Sequence, residues 1–220
     1  MYQPKLSDAP EVEFSPRILV ERDGLVTYDP YFLDPDTAER AFHLLQSDIE
    51  WSQEFLKMYG RRIPFPRLTA WYGDSGAAYT YSGVRNEPHR WTPALRDLQG
   101  RLVERMGVRF NSVLLNYYRH GQDSLSWHAD DEPELGDEPI IASLSLGAVR
   151  EFQLKHRIDG EVVSVPLEPG SLLVMSRETQ RFWCHRVPKE RNVHSARINL
   201  TFRVIDAPSN TRTVISTRRK

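Results

Sequence analysis

With 220 residues, 40% of them hydrophobic, the chain can build one domain with a core of its own, and no apolar run approaches the roughly 18 residues of a membrane span. A single cysteine, Cys184, excludes an internal disulfide framework and a thiolate zinc cluster, so any metal must be held by nitrogen and oxygen. The net charge of −1 hides four alternating blocks: acidic over 1–56, basic over 57–119, acidic over 120–180 and basic over 181–220. A basic face on a near-neutral protein still attracts phosphates locally, although surface charge also clusters by accident. The first residues, MYQPKLSDAP, lack the basic-then-apolar build of a signal peptide, so a soluble monomer is expected, cytoplasmic, or nuclear in a eukaryote.

Residues 1–30 are acidic and interrupted by proline, with two short strand-like runs, Arg17 to Val20 and Gly24 to Tyr28. Asp34 before Pro35 is a helix start, and Ala38, Phe42, Leu45 and Ile49 recur at helical spacing, with Leu44, Trp51 and Phe55 extending the apolar side. From Lys57 to Tyr81 aromatic residues alternate with arginines and turn formers. Such a block either stacks on bases and neutralises phosphates, or folds as hairpins whose rings fill a core. A second helix is predicted from Thr92 and Pro93, carrying Leu95, Leu98, Leu102, Val103 and Met106 on one stripe and stopping at Gly107.

Beyond Gly107 the chain is strand-like. The expected runs are Phe110 to Tyr118, Pro139 to Leu146, Arg150 to Lys155, Val162 to Leu167, Ser171 to Ser176, Arg181 to Arg186 and Arg197 to Ile205. Short strands after two helices predict an α+β, mainly β fold: a double-stranded β-helix, or jelly roll, buttressed by the N-terminal helices. The expected segments are an N-terminal extension with its supporting helix at 1–56, a nucleotide-recognition region at 57–91, the jelly-roll core at 92–206 and a basic tail at 207–220.

In the stretch NYYRHGQDSLSWHAD, alternation of an extended chain points His128 and Asp130 the same way, so both can bind one metal ion. His185 lies 57 residues on. Two histidines and one carboxylate on one face of an iron leave the opposite positions open to substrate and oxygen. The last strand, RINLTFR, puts Ile198, Leu200, Phe202 and Val204 on one face and Arg197, Asn199, Thr201 and Arg203 on the other. If both faces are covered, two arginines line a cavity and require an anion there, whereas on an outer face they would simply be solvated. Asn116 and Tyr118 share a face and can hydrogen-bond the same ligand. His-x-Asp, then a strand histidine, then Arg-x5-Arg is a far more specific series than any one of its parts.

The motifs PRLTAWYG (66–73), YTYSG (79–83), NYYRHGQDSLSWHADDEPELG (116–136), PIIASLSLGAVREF (139–152), HRVPKE (185–190) and RINLTFR (197–203) resemble the AlkB family of Fe(II)- and 2-oxoglutarate-dependent nucleic-acid demethylases, particularly its animal members. The resemblance runs from about Met58 to Val204. It implies that His128, Asp130 and His185 bind Fe(II), and that Asn116, Tyr118, Arg197, Asn199 and Arg203 hold 2-oxoglutarate. His120, His156 and His194 match no ligand position and read as ordinary surface or strand histidines.

The same resemblance implies O2 as co-substrate and oxidative removal of N-methyl groups from 1-methyladenine or 3-methylcytosine in single- or double-stranded DNA, or RNA, with release of formaldehyde, succinate and CO2. Such bases are cationic, and Asp131 and Glu132, directly after the metal pair, would favour them; the two also fit a solvated acidic turn. A target base must leave its stack, for which Tyr81 is the candidate stacking ring opposite His128. Tyr59 falls where related enzymes carry a hairpin that probes duplex DNA, with Arg67 close by, whereas PRLTAWYG and HRVPKE resemble a relative preferring single strands. The alternatives are an oxygenase of the same scaffold acting on protein or lipid, a non-catalytic nucleic-acid binding module, and a zinc hydrolase, which leaves the paired arginines unexplained.

Overall fold

A computed structural model describes residues 16–205 apart from 59, 78, 82 and 83, with backbone alone at 56–58, 79–81 and 84–86. In chain order the elements are β1 (Arg17–Val20), β2 (Leu25–Asp29), α1 (Pro35–Asp48), β3 (Phe55–Met58), β4 (Arg61–Pro64), β5 (Leu68–Gly73), β6 (Tyr79–Tyr81), β7 (Val84–Asn86), β8 (His89–Arg90) and α2 (Pro93–Met106). There follow β9 (Ser112–Tyr118), β10 (Leu125–His128), β11 (Ile141–Gly147), β12 (Arg150–His156), β13 (Val162–Leu167), β14 (Leu172–Ser176), the short helix α3 (Thr179–Phe182), β15 (Trp183–Val187) and β16 (Arg197–Arg203).

Two sheets face each other in a jelly roll. The larger has the order β1-β2-β14-β11-β16-β9-β5-β8 and the smaller β10-β15-β12-β13, while β3-β4 and β6-β7 are separate hairpins. Strands from residues 1–56 and 57–91 thus pair into the large sheet, so the barrel is not built from 92–206 alone. None of the helices is long and apolar enough to cross a membrane, among the described residues.

Both long helices start and stop for the reasons their ends suggest. The side chain of Asp34 accepts from the Thr37 amide and that of Thr92 from the Leu95 amide, and each helix has proline in its first turn. Gly107, at φ 68°, ends α2 in the left-handed region. Ala38, Ala41 and Leu45 of α1 and Leu95, Leu98 and Leu102 of α2 are buried against the large sheet. Leu44, expected on the packed side, is instead half exposed, and Val103 is partly exposed, because each lies on the flank of its stripe.

The large sheet is covered on both faces. Toward the helices it packs Val113, Leu115, Leu144, Ile198, Leu200 and Phe202; toward the small sheet, Val26, Tyr28, Ile141, Leu173 and Met175 meet Phe152, Leu154, Trp183 and Val187. All seven residues of β16 are therefore buried, polar ones included. Val204, expected on its apolar face, falls past the strand end and is partly exposed.

The loops leaving β9 and β15 are zipped together by Gly121, whose amide donates to the Val193 carbonyl at 2.7 Å and whose carbonyl accepts from the Glu190 amide at 2.8 Å. A Cβ at Gly121 would overlap the Glu190 carbonyl oxygen. Gly121→Ala is expected to destabilise the fold by about 1–3 kcal/mol, the usual cost of overpacking, measured as a lower urea midpoint.

Candidate metal and cosubstrate site

His128 ends β10 and pairs with His185 on β15. Leu125 opposes Val187, so one extra residue is inserted between these two pairs, a bulge that lets both Leu125 and His128 face the interior. The Nδ1 of His128 lies 2.9 Å from the Ser126 carbonyl. A carbonyl can only accept, so Nδ1 carries a proton, and Nε2, 3.6 Å from Asp130 Oδ1, is the atom turned toward the cluster. The rings of His128 and His185 are 4.2 Å apart, and ligand atoms of His128, Asp130 and His185 all lie within 4.8 Å of one another.

The charge state of this cluster suits a metal. Burial pushes the His185 imidazole down to about 3, so it is neutral at physiological pH with a lone pair to give. Burial alone would raise the Asp130 carboxyl, but the Arg203 guanidinium beside it holds it below its ordinary value. Arg203 Nη2 donates to Asp130 Oδ1 at 2.8 Å, both side chains being almost fully buried. A neutral-histidine and carboxylate set of this kind fits Fe(II).

Next to the triad, the polar face of β16 lines the inter-sheet space. Arg197 is 1% exposed, and its Nη2 donates to Ser145 Oγ at 2.9 Å. Its Nε and Nη1, and the Tyr118 hydroxyl, are buried without a hydrogen-bond partner of good geometry. Among the described residues no carboxylate lies within ion-pair distance of Arg197, whereas Arg203 faces Asp130 and Arg150 holds Glu190 at 2.7 Å. Burial pushes the Arg197 guanidinium down to about 10, against the favourable influence of Tyr118 and with the neighbouring Arg150 charge adding to the fall. It stays cationic at neutral pH. A buried cation with unused donors calls for an anion, so the cavity fits the distal carboxylate of a small dicarboxylate.

The other sequence-predicted residues separate into two groups. Asn116 is buried and accepts from Arg67 Nε at 2.6 Å, so Arg67 braces the cosubstrate cradle from β5's side. Asn199 donates to Ser143 Oγ at 2.8 Å and accepts from Thr201 Oγ1 at 3.2 Å. Asp131 is largely exposed and 3.4 Å from Arg157 Nη2, on the wall of a cavity of about 650 Å³ that also reaches Asp130. Glu132 is partly buried just before a short turn, Pro133–Leu135. Tyr81 ends β6 with its side chain outside the described atoms, and Tyr59 lies outside the described residues. His156, expected to be an ordinary histidine, is 3% exposed and held between Asp23, at 3.2 Å, and Asp159, at 2.8 Å.

Several working residues escaped the sequence reading. Ser143 and Ser145 alternate on β11 opposite Thr201 and Asn199, and the spacing in IASLSLG was the available signal. Gln180 is 3% exposed on α3, three residues before β15, and its Oε1 accepts from the Asp130 amide at 2.9 Å. It ties the segment carrying the carboxylate ligand to the segment leading to His185. Arg150 is 1% exposed and donates to the carbonyls of Asp123 and Pro188, at 3.0 and 2.6 Å, beneath the Tyr118 ring.

A jelly roll with two histidines, one carboxylate and an unneutralised arginine between its sheets defines a mononuclear metal oxygenase architecture. The chain matches the description "2OG-Fe(II) oxygenase superfamily" over residues 25–203. It is similar to the alpha-ketoglutarate-dependent dioxygenase alkB homolog 3 of Rattus norvegicus, 44% identical over 80% of this chain and 62% of the relative. The same protein of Homo sapiens gives 44% over 80% of this chain and 64% of the relative. It is also similar to the DNA oxidative demethylase ALKBH2 of Bos taurus, 38% identical over 82% of this chain and 68% of the relative. A solved structure of OsALKBH1 shares the fold, with a TM-score of 0.59 and 16% identity over 86% of this chain and 100% of that one. The chain belongs to the 2OG-Fe(II) oxygenase superfamily and, within it, to the AlkB-type proteins. It spans 62–64% of the length of the alkB homolog 3 proteins it matches.

Two outcomes follow from this geometry. Replacing Gln180 by leucine leaves the Asp130 amide without its buried acceptor, so Fe(II) or Co(II) affinity by titration should fall about 10- to 100-fold, as for other outer partners of metal ligands. In metal-free protein, the unfolded chain protonates His185 near 6.5 and the folded chain only near 3, so stability is lost as pH falls below 6.5. Between about pH 7 and pH 5 this amounts to on the order of 2 kcal/mol, and His185→Asn should remove that part of the slope in urea melts.

Proposed function

We propose that the protein is an Fe(II)- and 2-oxoglutarate-dependent dioxygenase that removes N-methyl groups from cationic bases, of the 1-methyladenine or 3-methylcytosine type, in DNA or RNA. The observation that carries the cosubstrate is Arg197, a buried cation whose Nε and Nη1 have no hydrogen-bond partner of good geometry, in the same inter-sheet space as His128, Asp130 and His185. The nucleic-acid substrate is supported by the likeness to proteins named DNA oxidative demethylase and by an acid-lined cavity beside the metal ligands.

The iron, with O2 and 2-oxoglutarate, supplies oxidation of the N-methyl C–H bond, the cosubstrate leaving as succinate and CO2 and the hydroxymethyl product shedding formaldehyde. Everything else falls to the protein. Arg197 and the Tyr118 hydroxyl bind the distal carboxylate, and Asn116 and Asn199 close the cradle around the chain. Arg203 keeps Asp130 ionised, and His185 remains unprotonated. Asp131 and Glu132 set a negative potential at the mouth, where a methylated, positively charged base gains and a normal base does not. By the family resemblance we assign the stacking ring to Tyr81 and the approach to Tyr59, whereas Arg67 is held on Asn116.

The test is formaldehyde release from single-stranded and duplex oligonucleotides carrying 1-methyladenine or 3-methylcytosine, with Fe(II), ascorbate and 2-oxoglutarate, and with each omitted in turn. Release that needs both iron and 2-oxoglutarate is expected, and Asp130→Ala or His128→Ala should abolish it. Normal turnover by either variant would remove the metal assignment. Arg197→Ala should raise the 2-oxoglutarate KM at least about tenfold, the scale of losing one partner of a buried charged pair.

A further inference from the structure

The bulge in β10 has a second product. Because Leu125 and His128 both face inward, Ser126 and Trp127 together oppose a single residue of β15, Arg186, on the outer face of the small sheet. Trp127 and Arg186 are thus each one residue from a metal-binding histidine, on the reverse side of the same two strands. The Arg186 guanidinium lies over the Trp127 indole, 4.4 Å from its centre, and its Nε donates to Gln153 Oε1 at 2.6 Å. Gln153 sits opposite Arg186 on β12 and donates in turn to Glu151, so the relay fixes the plane of the guanidinium.

This arginine differs from four others around the site. Arg67, Arg150, Arg157 and Arg203 are engaged with Asn116, Glu190, Asp131 and Asp130 respectively. Among the described residues no carboxylate lies within ion-pair distance of Arg186, and its two Nη groups have no hydrogen-bond partner there. Both Arg186 and Trp127 are part exposed, and Lys155, two residues along β12 from Gln153, is exposed on the same face. A guanidinium held flat on an indole, with Nε occupied and its two Nη groups unpaired, presents a preformed fork to a phosphate.

We propose that Trp127 and Arg186 form a platform that grips a backbone phosphate of the nucleic-acid strand whose target base enters the metal site. Charge complementarity selects the occupant, and place selects the strand. β10 is an edge strand of its sheet, so a chain passing around that edge sits on the platform while its neighbouring base reaches His128 on the inner side. The platform rests on the nucleic-acid reading above and deepens it: it contributes to strand capture in a way that does not depend on the sequence of bases.

The experiment is binding of a fluorescein-labelled single-stranded oligonucleotide with one 3-methylcytosine to metal-loaded wild type, Arg186→Gln, Arg186→Lys and Trp127→Leu, each over a salt series. Removing one phosphate contact from a single strand should lower the slope of log affinity against log salt by about 0.7, with affinity down roughly five- to tenfold in low salt. Arg186→Lys keeps the charge and should keep the slope while losing part of the affinity, because an ammonium neither forks nor stacks in the same way. Trp127→Leu should weaken binding with the slope retained. An unchanged slope and affinity in Arg186→Gln would overturn the platform and leave the demethylase reading standing. Failure of wild type to bind the oligonucleotide at all would overturn that reading, and the platform with it.

Discussion

The structure depends on one strand being covered on both sides. In β16 three apolar side chains enter the core beneath the helices, and Arg197, Asn199, Thr201 and Arg203 enter the space between the sheets. Buried arginines are expensive, and the protein answers the cost in two ways. Arg203 meets a carboxylate that is itself a candidate metal ligand, so one ion pair stabilises the strand and keeps Asp130 ionised for a cation. Arg197 donates to a serine hydroxyl and lies over the Tyr118 ring instead, and its charge is left for a ligand to neutralise. The same alternation that makes β16 a core strand therefore makes it the candidate cosubstrate anchor.

The metal triad draws on the small sheet for its two histidines and on Gln180 and Arg203 for the setting of its carboxylate. Pairing of β10 with β15 brings His128 and His185 together, and the bulge between Leu125 and His128 makes the inward orientation of both compatible with sheet packing. Gln180 and Arg203 hold Asp130 at two points, one through its backbone amide and one through its side chain. Loops at the cosubstrate end are closed by Arg150, Glu190 and Gly121, all lying in or beside motifs that also carry site residues.

Much of this was legible in the chain. Capping residues at Asp34 and Thr92, proline at the first turn and Gly107 at a stop are local signals, and both helices obey them. Period-two alternation in RINLTFR sorted its seven residues correctly, but burial of the arginine face needed the second sheet, which no local pattern displays. The run Arg181 to Arg186 read as one strand because a four-residue helix, Thr179–Phe182, is too short to show helical periodicity. That helix holds Gln180, so the strut to Asp130 was hidden with it. β10 was missing from the expected strands because four residues with a bulge break the alternation that marks a strand. No local pattern marked Arg150 or His156 as buried, and their burial follows from partners 40 and 133 positions away, Glu190 and Asp23. In the aromatic and basic block at 57–81, Tyr72 is buried in the core, while Phe65 is part exposed beneath Arg67.

The central claim is that a buried, unneutralised Arg197 reads the distal carboxylate of 2-oxoglutarate. It is tested most directly by anaerobic titration of Fe(II)-loaded protein with 2-oxoglutarate and with 2-oxobutyrate, which keeps the 2-oxo acid but lacks the distal carboxylate, in wild type and Arg197→Ala. The account predicts that wild type binds 2-oxoglutarate at least about thirtyfold more tightly and that Arg197→Ala largely loses this preference, as expected for a buried charged pair worth about 2 kcal/mol or more. Equal affinity for the two acids in wild type, or a preference that survives in Arg197→Ala, would contradict it.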